Sequence, residues 1–353
     1  MPLLHGDIVF AASGETAEEI GKAVAYLGHG AAVVGGDTVV LRGHGQNPSF
    51  LAHALNADDA VRQKSRLGKG QSIVHIHAPD LSNVQVWLPP LQEQSHISNI
   101  LAAWDEAIEK TNRLIDFKRQ RIRGILAENV SDARGKAKSN EWEKTTIGDV
   151  ATLTQQRVTW DEQATYRLIT VKRGCGGLVF RGDRKGHEIL TKDMYTVRAG
   201  DFLISKRQVV HGAWAMVTPE FDGGHVSKEY ACLRAKPGKL WMPYFDWLSR
   251  TERLQHEAFI CSYGVDIEKM VLNVEWLLQT PLLLPRSIET QKDMAAGLDS
   301  LQREVDLLKA QMEALRRQKR GLMQKLLTGE WRMPLPDSDV DAMAARVTEE
   351  AAQ

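Results

Sequence analysis

The 353-residue sequence predicts an α+β protein: two related globular units, the first partial, alternating with two long helices that pair as an antiparallel coiled coil. Three observations lead there. Leu88-Pro-Pro-Leu-Gln-Glu-Gln94, which runs into an apolar-periodic helix ending at Gly124, recurs as Leu284-Pro-Arg-Ser-Ile-Glu-Thr-Gln291 before a second such helix through Gly321. Gly6-Asp-Ile-Val-Phe10 is answered by Gly200-Asp-Phe-Leu-Ile204, Leu41-Arg42 by Leu233-Arg234, and Pro48-Ser-Phe50 by Pro243-Tyr-Phe245. These pairs lie about 195 residues apart, and repetition at one spacing decides architecture ahead of any single motif. Third, Trp142 to about Arg198 in the second unit has no counterpart in the first, so the first unit is expected to lack its opening.

The elements follow in order. Asp7–Phe10 and Thr38–Leu41 are compact β-branched runs bounded by glycine, which read as strands. Pro48 to Leu67 has helical character, with Phe50, Leu51, Leu55 and Val61 as candidate buried positions and Gly68-Lys-Gly70 as a stop. Val74, Ile76 and Val84–Trp87 suggest strands leading to the Leu88-Pro89-Pro90 break. Apolar or neutral positions then fall at Ile97, Leu101, Trp104, Ile108, Thr111, Ile115, Ile122 and Ile125, with Lys118 interrupting. That alternating four-three spacing is coiled-coil periodicity. The second helix keeps the phase at Met294, Leu298, Leu301, Val305, Leu308, Met312, Leu315 and Leu322, with Lys319 as its off-pattern residue. Such a stripe is unstable alone in water. Mutual packing satisfies both helices; the alternative is that each lies on its own globular unit.

Val130 to Asn140 is small, polar and basic, a linker. In the second unit, strands are expected at Tyr166–Val171, Phe202–Ile204, Trp214–Val217 and Tyr230–Leu233, with a helix from about Pro243 to Phe259. The boundaries are then 1–90 for the partial first unit, 91–129 for the first helix, 130–141 for the linker, 142–283 for the complete unit, 284–331 for the second helix and 332–353 for an acidic tail.

Composition bounds the function. Apolar content of 43% and charged content of 25% are ordinary for a globular protein. Forty-five basic and forty-five acidic residues cancel, so any anion-binding surface must be local. Cys175, Cys232 and Cys261 are too scattered for a metal knuckle and odd in number for a disulfide framework, which fits a reducing cytoplasm. No apolar run reaches membrane-spanning length, so no membrane partner is expected. No phosphate loop, dinucleotide turn or nucleophile elbow occurs. His75 and His77 share a strand face without a third ligand nearby, so no metal site is expected, and no catalytic residues either. A single-chain nuclease or methyltransferase would need motifs that are missing. The chain is expected to bind rather than to transform.

What it binds is indicated by Arg167 to His187. This stretch carries Arg167, Lys172, Arg173, Arg181, Arg184, Lys185 and His187 against the single acid Asp183, and glycines that admit close backbone approach. Gly174-Cys-Gly-Gly177 reads as a hairpin tip. A second basic turn, with Lys206, Arg207, Gln208 and His211, follows the Gly200-Asp201 strand. Basic loops holding Gln and His suit phosphate anchoring together with hydrogen bonding to base edges. The alternative is a solvated loop whose charges bind nothing.

These residues resemble a known family. Pro89-Pro90-Leu91 with Glu93-Gln94, then Ile97, Leu101, Asp105, Ile108 and the basic run into Gly124-Ile-Leu126, look like the central region of type I restriction-modification specificity subunits. Gln318-Lys-Arg-Gly-Leu-Met-Gln-Lys-Leu-Leu-Thr-Gly329 is similar to that family's terminal signature, and Trp142 with Ile147-Gly-Asp149 fits its target-recognition domains. The resemblance implies two target-recognition domains, each reading half of a bipartite duplex DNA sequence, held apart by helices that dock methyltransferase subunits. Thirty helical residues span roughly 45 Å, or about thirteen base pairs of spacing. It further implies two modification subunits and a restriction/translocase subunit as partners, with S-adenosylmethionine, ATP and Mg2+ on those partners and no cofactor on this chain. Departures matter: Arg286-Ser-Ile288 stands in place of Pro89-Pro-Leu91, and Thr290 in place of Glu93. The incomplete first unit leaves two further expectations, a second copy of the chain as partner, or a DNA-reading-deficient subunit that only docks methyltransferase subunits or competes with an intact one.

Overall fold

The computed structural model describes residues 1–70, 72–130 and 141–333, so most of the expected linker and of the acidic tail lie outside the described residues. It divides into two compact units, Met1–Leu114 with Leu308–Gln353 and Ile115–Leu307. No helix among the described residues is long and apolar enough to cross a membrane.

Unit 1 opens with β1 (Ile8–Ala11), β2 (Ser13–Gly14), β3 (Ala23–Ala25) and β4 (Thr38–Leu41), followed by α1 (Pro48–Leu55), α2 (Asp58–Leu67), β5 (Val74–His75) and α3 (Ala78–Leu81). The sheet order is β3-β1-β4, antiparallel, with Ile8 opposite both Ala25 and Leu41. Ile8, Phe10, Ala23, Leu51 and Leu55 form its core between sheet and α1. Asn47 caps α1 through its side chain, and Pro48 occupies the first helical turn, where a missing N–H costs nothing.

Two expectations are corrected here. The single helix expected over residues 48–67 is broken, because Asn56 leaves the helical path to bond Ala23 on the sheet edge, accepting from its N–H at 2.9 Å and donating to its carbonyl at 2.6 Å. Residues 84–87 form no strand. The matching segment in unit 2 is a strand only because another strand lies beside it, and unit 1 has no such neighbour among the described residues.

From α4 (Leu91–Val130) the chain enters unit 2: β6 (Trp142–Thr146), α5 (Ile147–Val150), β7 (Ala151–Leu153), β8 (Gln156–Arg157), β9 (Thr165–Val171), β10 (Leu178–Lys185), β11 (Met194–Thr196), β12 (Phe202–Ser205), β13 (Trp214–Met216), β14 (His225–Ser227) and β15 (Tyr230–Ala235). There follow α6 (Met242–Ser249), α7 (Glu252–Ile260), β16 (Ser262–Tyr263), β17 (Val271–Leu272), α8 (Val274–Leu278), β18 (Pro281–Pro285) and α9 (Ile288–Leu326). One sheet runs β13-β12-β15-β7 and another β10-β9-β14-β11-β8, with Ile169, Val171, Val197, Leu203, Val217 and Val226 among the residues buried between them. The helix expected over 243–259 is also two helices, since Thr251 starts α7 by accepting the Leu254 N–H.

The repetition is visible in matched bonds. Asp7 is buried and accepts from Arg42 Nε at 2.8 Å and Nη2 at 2.7 Å, and from the Leu4 N–H at 2.7 Å. Asp201 is buried and accepts from Arg234 Nε at 2.7 Å and Nη2 at 2.9 Å, and from the Arg198 N–H at 3.0 Å. Gln94 donates to the Pro89 carbonyl at 2.8 Å and accepts the Asn47 N–H at 2.9 Å; Gln291 donates to the Pro285 carbonyl at 2.9 Å and accepts the Trp241 N–H at 2.7 Å. Each fully buried glutamine thus clamps the start of its long helix to the start of the short helix before it. Leaving either amide unpaired would incur its whole desolvation cost.

The two long helices pack in opposite directions. In unit 1 the early part of α4 meets the late part of α9: Ile97 and Leu101 join Phe50, Ala54, Leu326 and Leu327 in one cluster. Lys319, the off-pattern lysine there, reaches Asp105 at 2.5 Å. In unit 2 the other off-pattern lysine, Lys118, pairs with Glu304. Ile115, Ile122, Leu298 and Val305 are buried along the seam. Each lysine therefore enters a half-buried seam position only where the opposite helix supplies a carboxylate. Within unit 1 the buried Glu93 accepts from Arg332 at 2.8 Å and from the Met333 N–H at 3.0 Å, which ties down the segment after α9.

Candidate nucleic-acid interface

The two basic segments of unit 2 meet on one face. Strands β9 and β10 form a hairpin whose tip, Lys172 to Gly177, closes with the Lys172 N–H on the Gly177 carbonyl at 2.9 Å. Cys175 at the tip has φ 52°, a left-handed backbone that is costly for a side-chain-bearing residue. The tip is held there from outside. The Gly174 N–H donates to the His211 carbonyl at 2.7 Å, and the Cys175 N–H to the Gly212 carbonyl at 2.8 Å. Gly212, with φ 69°, takes the left-handed turn that presents these carbonyls.

Side chains complete the junction. Arg173 donates Nε to Gln208 Oε1 at 2.7 Å and pairs through Nη2 with Glu268 at 2.7 Å. His211 Nε2 lies 3.1 Å from Glu268 Oε1, an approach outside hydrogen-bond geometry. The Arg173 guanidinium holds the Glu268 carboxyl below the usual carboxylate range, with the nearby His211 adding to it. Of the expected DNA-contacting residues, Arg173 and His211 therefore converge on one carboxylate, and Gln208 joins them through its bond from Arg173. Lys172 is exposed beside them at the same end of the hairpin. Arg207 is exposed and pairs with Glu229 at 2.6 Å, while the Lys206 backbone is fixed by its N–H on the Glu229 carbonyl at 2.9 Å and its own carbonyl on the Leu272 N–H at 2.8 Å.

Arg181, Arg184 and Lys185 are exposed along β10, but Lys185 sits opposite Thr165 at the far end of the hairpin. They form a second basic stretch, separate from the tip. A bulge between Phe180 and Gly182 interrupts that strand, and Arg167 lies 5.7 Å over the Phe180 ring. Glu268 and Glu229 are the functional candidates that sequence reasoning missed. Glu268 is distant in sequence from both basic segments, and no spacing rule connects it to them. Exposed Tyr263, Val265 and Ile267 lie on the same connection and add an apolar rim.

The seam residues have a different placement. Ile97, Leu101, Ile115, Ile122, Leu298 and Val305 are buried, and Trp104, Ile108, Leu301, Leu308, Met312 and Leu315 are half-buried. They build the helix pair. Large apolar side chains that face solvent on these helices, Leu91, Leu114, Phe117 and Leu307, lie off the seam. Among the described residues no group of three His, Cys, Asp or Glu side chains could hold a metal ion.

The arrangement presents basic side chains together on one face of unit 2. Residues 3–116 match the family model of the type I restriction modification DNA specificity domain. The chain is 21% identical over 308 residues to the type I restriction enzyme MjaVIII specificity subunit of Methanocaldococcus jannaschii, covering 80% of this chain and 70% of that protein. The S subunit of a type I restriction-modification system from M. genitalium shares its fold with a TM-score of 0.54 at 15% identity, over 92% of this chain and 83% of that one. The HsdS subunit from Thermoanaerobacter tengcongensis does so with a TM-score of 0.50 at 20% identity, over 94% and 82%. Residues 3–116 thus match the type I restriction modification DNA specificity domain, and the chain as a whole shares the fold of type I restriction-modification S subunits.

Proposed function

We propose that this chain reads duplex DNA through the hairpin-and-turn face of unit 2 and directs methylation and restriction by partner subunits to a bipartite target. The observation that carries the reading is the junction itself: two basic segments docked by backbone bonds from Gly174 and Cys175 and by Arg173 onto Gln208. Rigid backbone docking positions Lys172, Arg173, Lys206, Arg207 and Gln208 on one surface, the arrangement that phosphate anchoring with base-edge contact requires. The carboxylates of Glu268 and Glu229 hold two of those arginines until a phosphate replaces them. Electrostatic contacts of this kind make affinity fall with salt.

Chemistry belongs to the partners in this proposal. Two modification subunits carrying S-adenosylmethionine would methylate, and a restriction/translocase subunit using ATP and Mg2+ would cleave. This chain contributes the address, and the helix pair offers docking surface. Duplex affinity measured against salt tests the DNA-reading face. Lys206→Ala or Lys172→Ala should weaken binding and flatten the salt slope by about one unit. Unchanged affinity and slope in both would remove the assignment.

A further inference from the structure

The two units share the anchoring bonds described above, and aligning them exposes a difference at the reading face. By sheet order β1 corresponds to β12, β3 to β13 and β4 to β15. The loop after each first strand starts from the same anchor: the Ile76 N–H reaches the Ala12 carbonyl at 3.0 Å, and the Leu272 N–H the Lys206 carbonyl at 2.8 Å. It ends at corresponding glycines, Gly21 and Gly212, both with φ 69°.

In unit 2 the Gly212 carbonyl is taken by the Cys175 N–H, and a Cβ on Gly212 would lie 3.3 Å from that nitrogen. The hairpin tip is seated directly on the glycine. In unit 1 the corresponding Gly21 carbonyl accepts from Lys64 Nζ at 2.5 Å, and a Cβ on Gly21 would lie 2.9 Å from Lys64 Cδ and 3.4 Å from Leu81 Cδ2. Lys64 is the seventh residue of α2, and Ala258 is the seventh of α7. A long side chain thus stands where unit 2 has a methyl group, fills the hairpin seat and answers the same carbonyl with its ammonium. The loop between the anchors differs in sign as well. Lys206 to Gly212 holds two cationic side chains, Lys206 and Arg207, with His211 and no acid. Ala12 to Gly21 holds exposed Glu15, Glu18 and Glu19 and neither Lys nor Arg.

We infer that base reading resides in unit 2 alone, and that unit 1, although it keeps the fold matched over residues 3–116, has its reading face closed by Lys64 and Leu81 and made repulsive to phosphate by its loop carboxylates. Both features act in the same direction: the seat excludes a hairpin, and three like charges oppose the polyanion that a reading loop must approach. This inference rests on the DNA-reading function proposed above. A bipartite target read in this way consists of one block repeated, each half contacted by the unit 2 face of a separate chain.

Selection of bound duplexes from a randomised library by the full chain provides the test, with Glu18→Gln/Glu19→Gln and Lys206→Ala/Arg207→Ala variants alongside. The expected result is a motif made of one block, present once or repeated. Glu18→Gln/Glu19→Gln leaves that motif unaltered, and Lys206→Ala/Arg207→Ala lowers its enrichment at least about tenfold. Two different blocks, a motif altered by the unit 1 variant, or a motif indifferent to the unit 2 variant would overturn the inference while leaving sequence reading intact. No enriched motif from the unaltered chain would overturn the proposed function, and the inference with it.

Discussion

Lys64 offers the sharpest physical test of how unit 1 is closed. Its side chain is 1% exposed, and among the described residues Nζ has one acceptor, the Gly21 carbonyl. Burial lowers its pKa from 10.5 to about 8, because the ammonium loses water and gains no carboxylate. The sign follows from linkage. The folded pKa lies below the unfolded one, so the stability associated with this group is complete only above the unfolded value and is lost as pH falls through about 8. At neutral pH the buried charge then costs about 3 kcal/mol, the shift multiplied by the free energy of one pKa unit. Replacing Lys64 by Met keeps the alkyl packing and removes the charge, but leaves the Gly21 carbonyl without a donor, a loss of about 1–3 kcal/mol. The two effects nearly offset near pH 7. Urea unfolding followed by circular dichroism should therefore find wild type and Lys64→Met similar at about pH 7.5, with wild type gaining about 2 kcal/mol on the variant by about pH 10. Parallel profiles for the two proteins would refute a buried, charged Lys64.

Three further outcomes are expected. Asp7 is held at a pKa of about 2, chiefly by its hydrogen bonds from Arg42, so its contribution is present above the ordinary aspartate value of 3.8 and disappears as pH falls through about 2. Asp7→Asn should flatten that part of the acid-unfolding curve, read by circular dichroism. Gly212→Ala places a methyl 3.3 Å from the Cys175 nitrogen at φ 69°. A strain of about 1–3 kcal/mol should loosen the hairpin tip and raise the alkylation rate of the half-buried Cys175. Gln94→Ala and Gln291→Ala should each destabilise by about 2–4 kcal/mol in denaturant titrations, by leaving backbone groups unpaired at equivalent helix starts.

Much of the scaffold was legible because it rests on local pattern. Thr38–Leu41 is a strand at its expected bounds, both long helices keep their heptads, and the Gly-Asp and Leu-Arg repeats turn out to be the two ends of one ion pair in each unit, a buried aspartate held by an exposed arginine. The seam lysines were visible as irregularities. Their partners were not, since Asp105 and Glu304 lie on the other helix, far away in sequence. Lys64 was illegible for the opposite reason: Arg62-Gln-Lys-Ser-Arg66 reads as a solvated helix face, whereas the backbone turns Lys64 inward and leaves Val61 only half-buried. Residues 84–87 have strand composition and no strand, because β structure needs a neighbour that composition does not reveal. At the reading face the basic residues stood out by charge, and Glu268, which gathers Arg173 and His211, became identifiable only once the loops were placed in space.

The most direct measurement of whether this chain supplies a DNA address is methylation mapping. The chain is co-expressed with a type I modification subunit in cells lacking other methylation, and the methylated bases are located by sequencing the host DNA. Methylation confined to one motif, lost when Lys206→Ala/Arg207→Ala replaces the wild type, is the expected result. Methylation that persists at the same motif without the unit 2 basic residues, or that shows no sequence preference while the subunits co-purify, would contradict it.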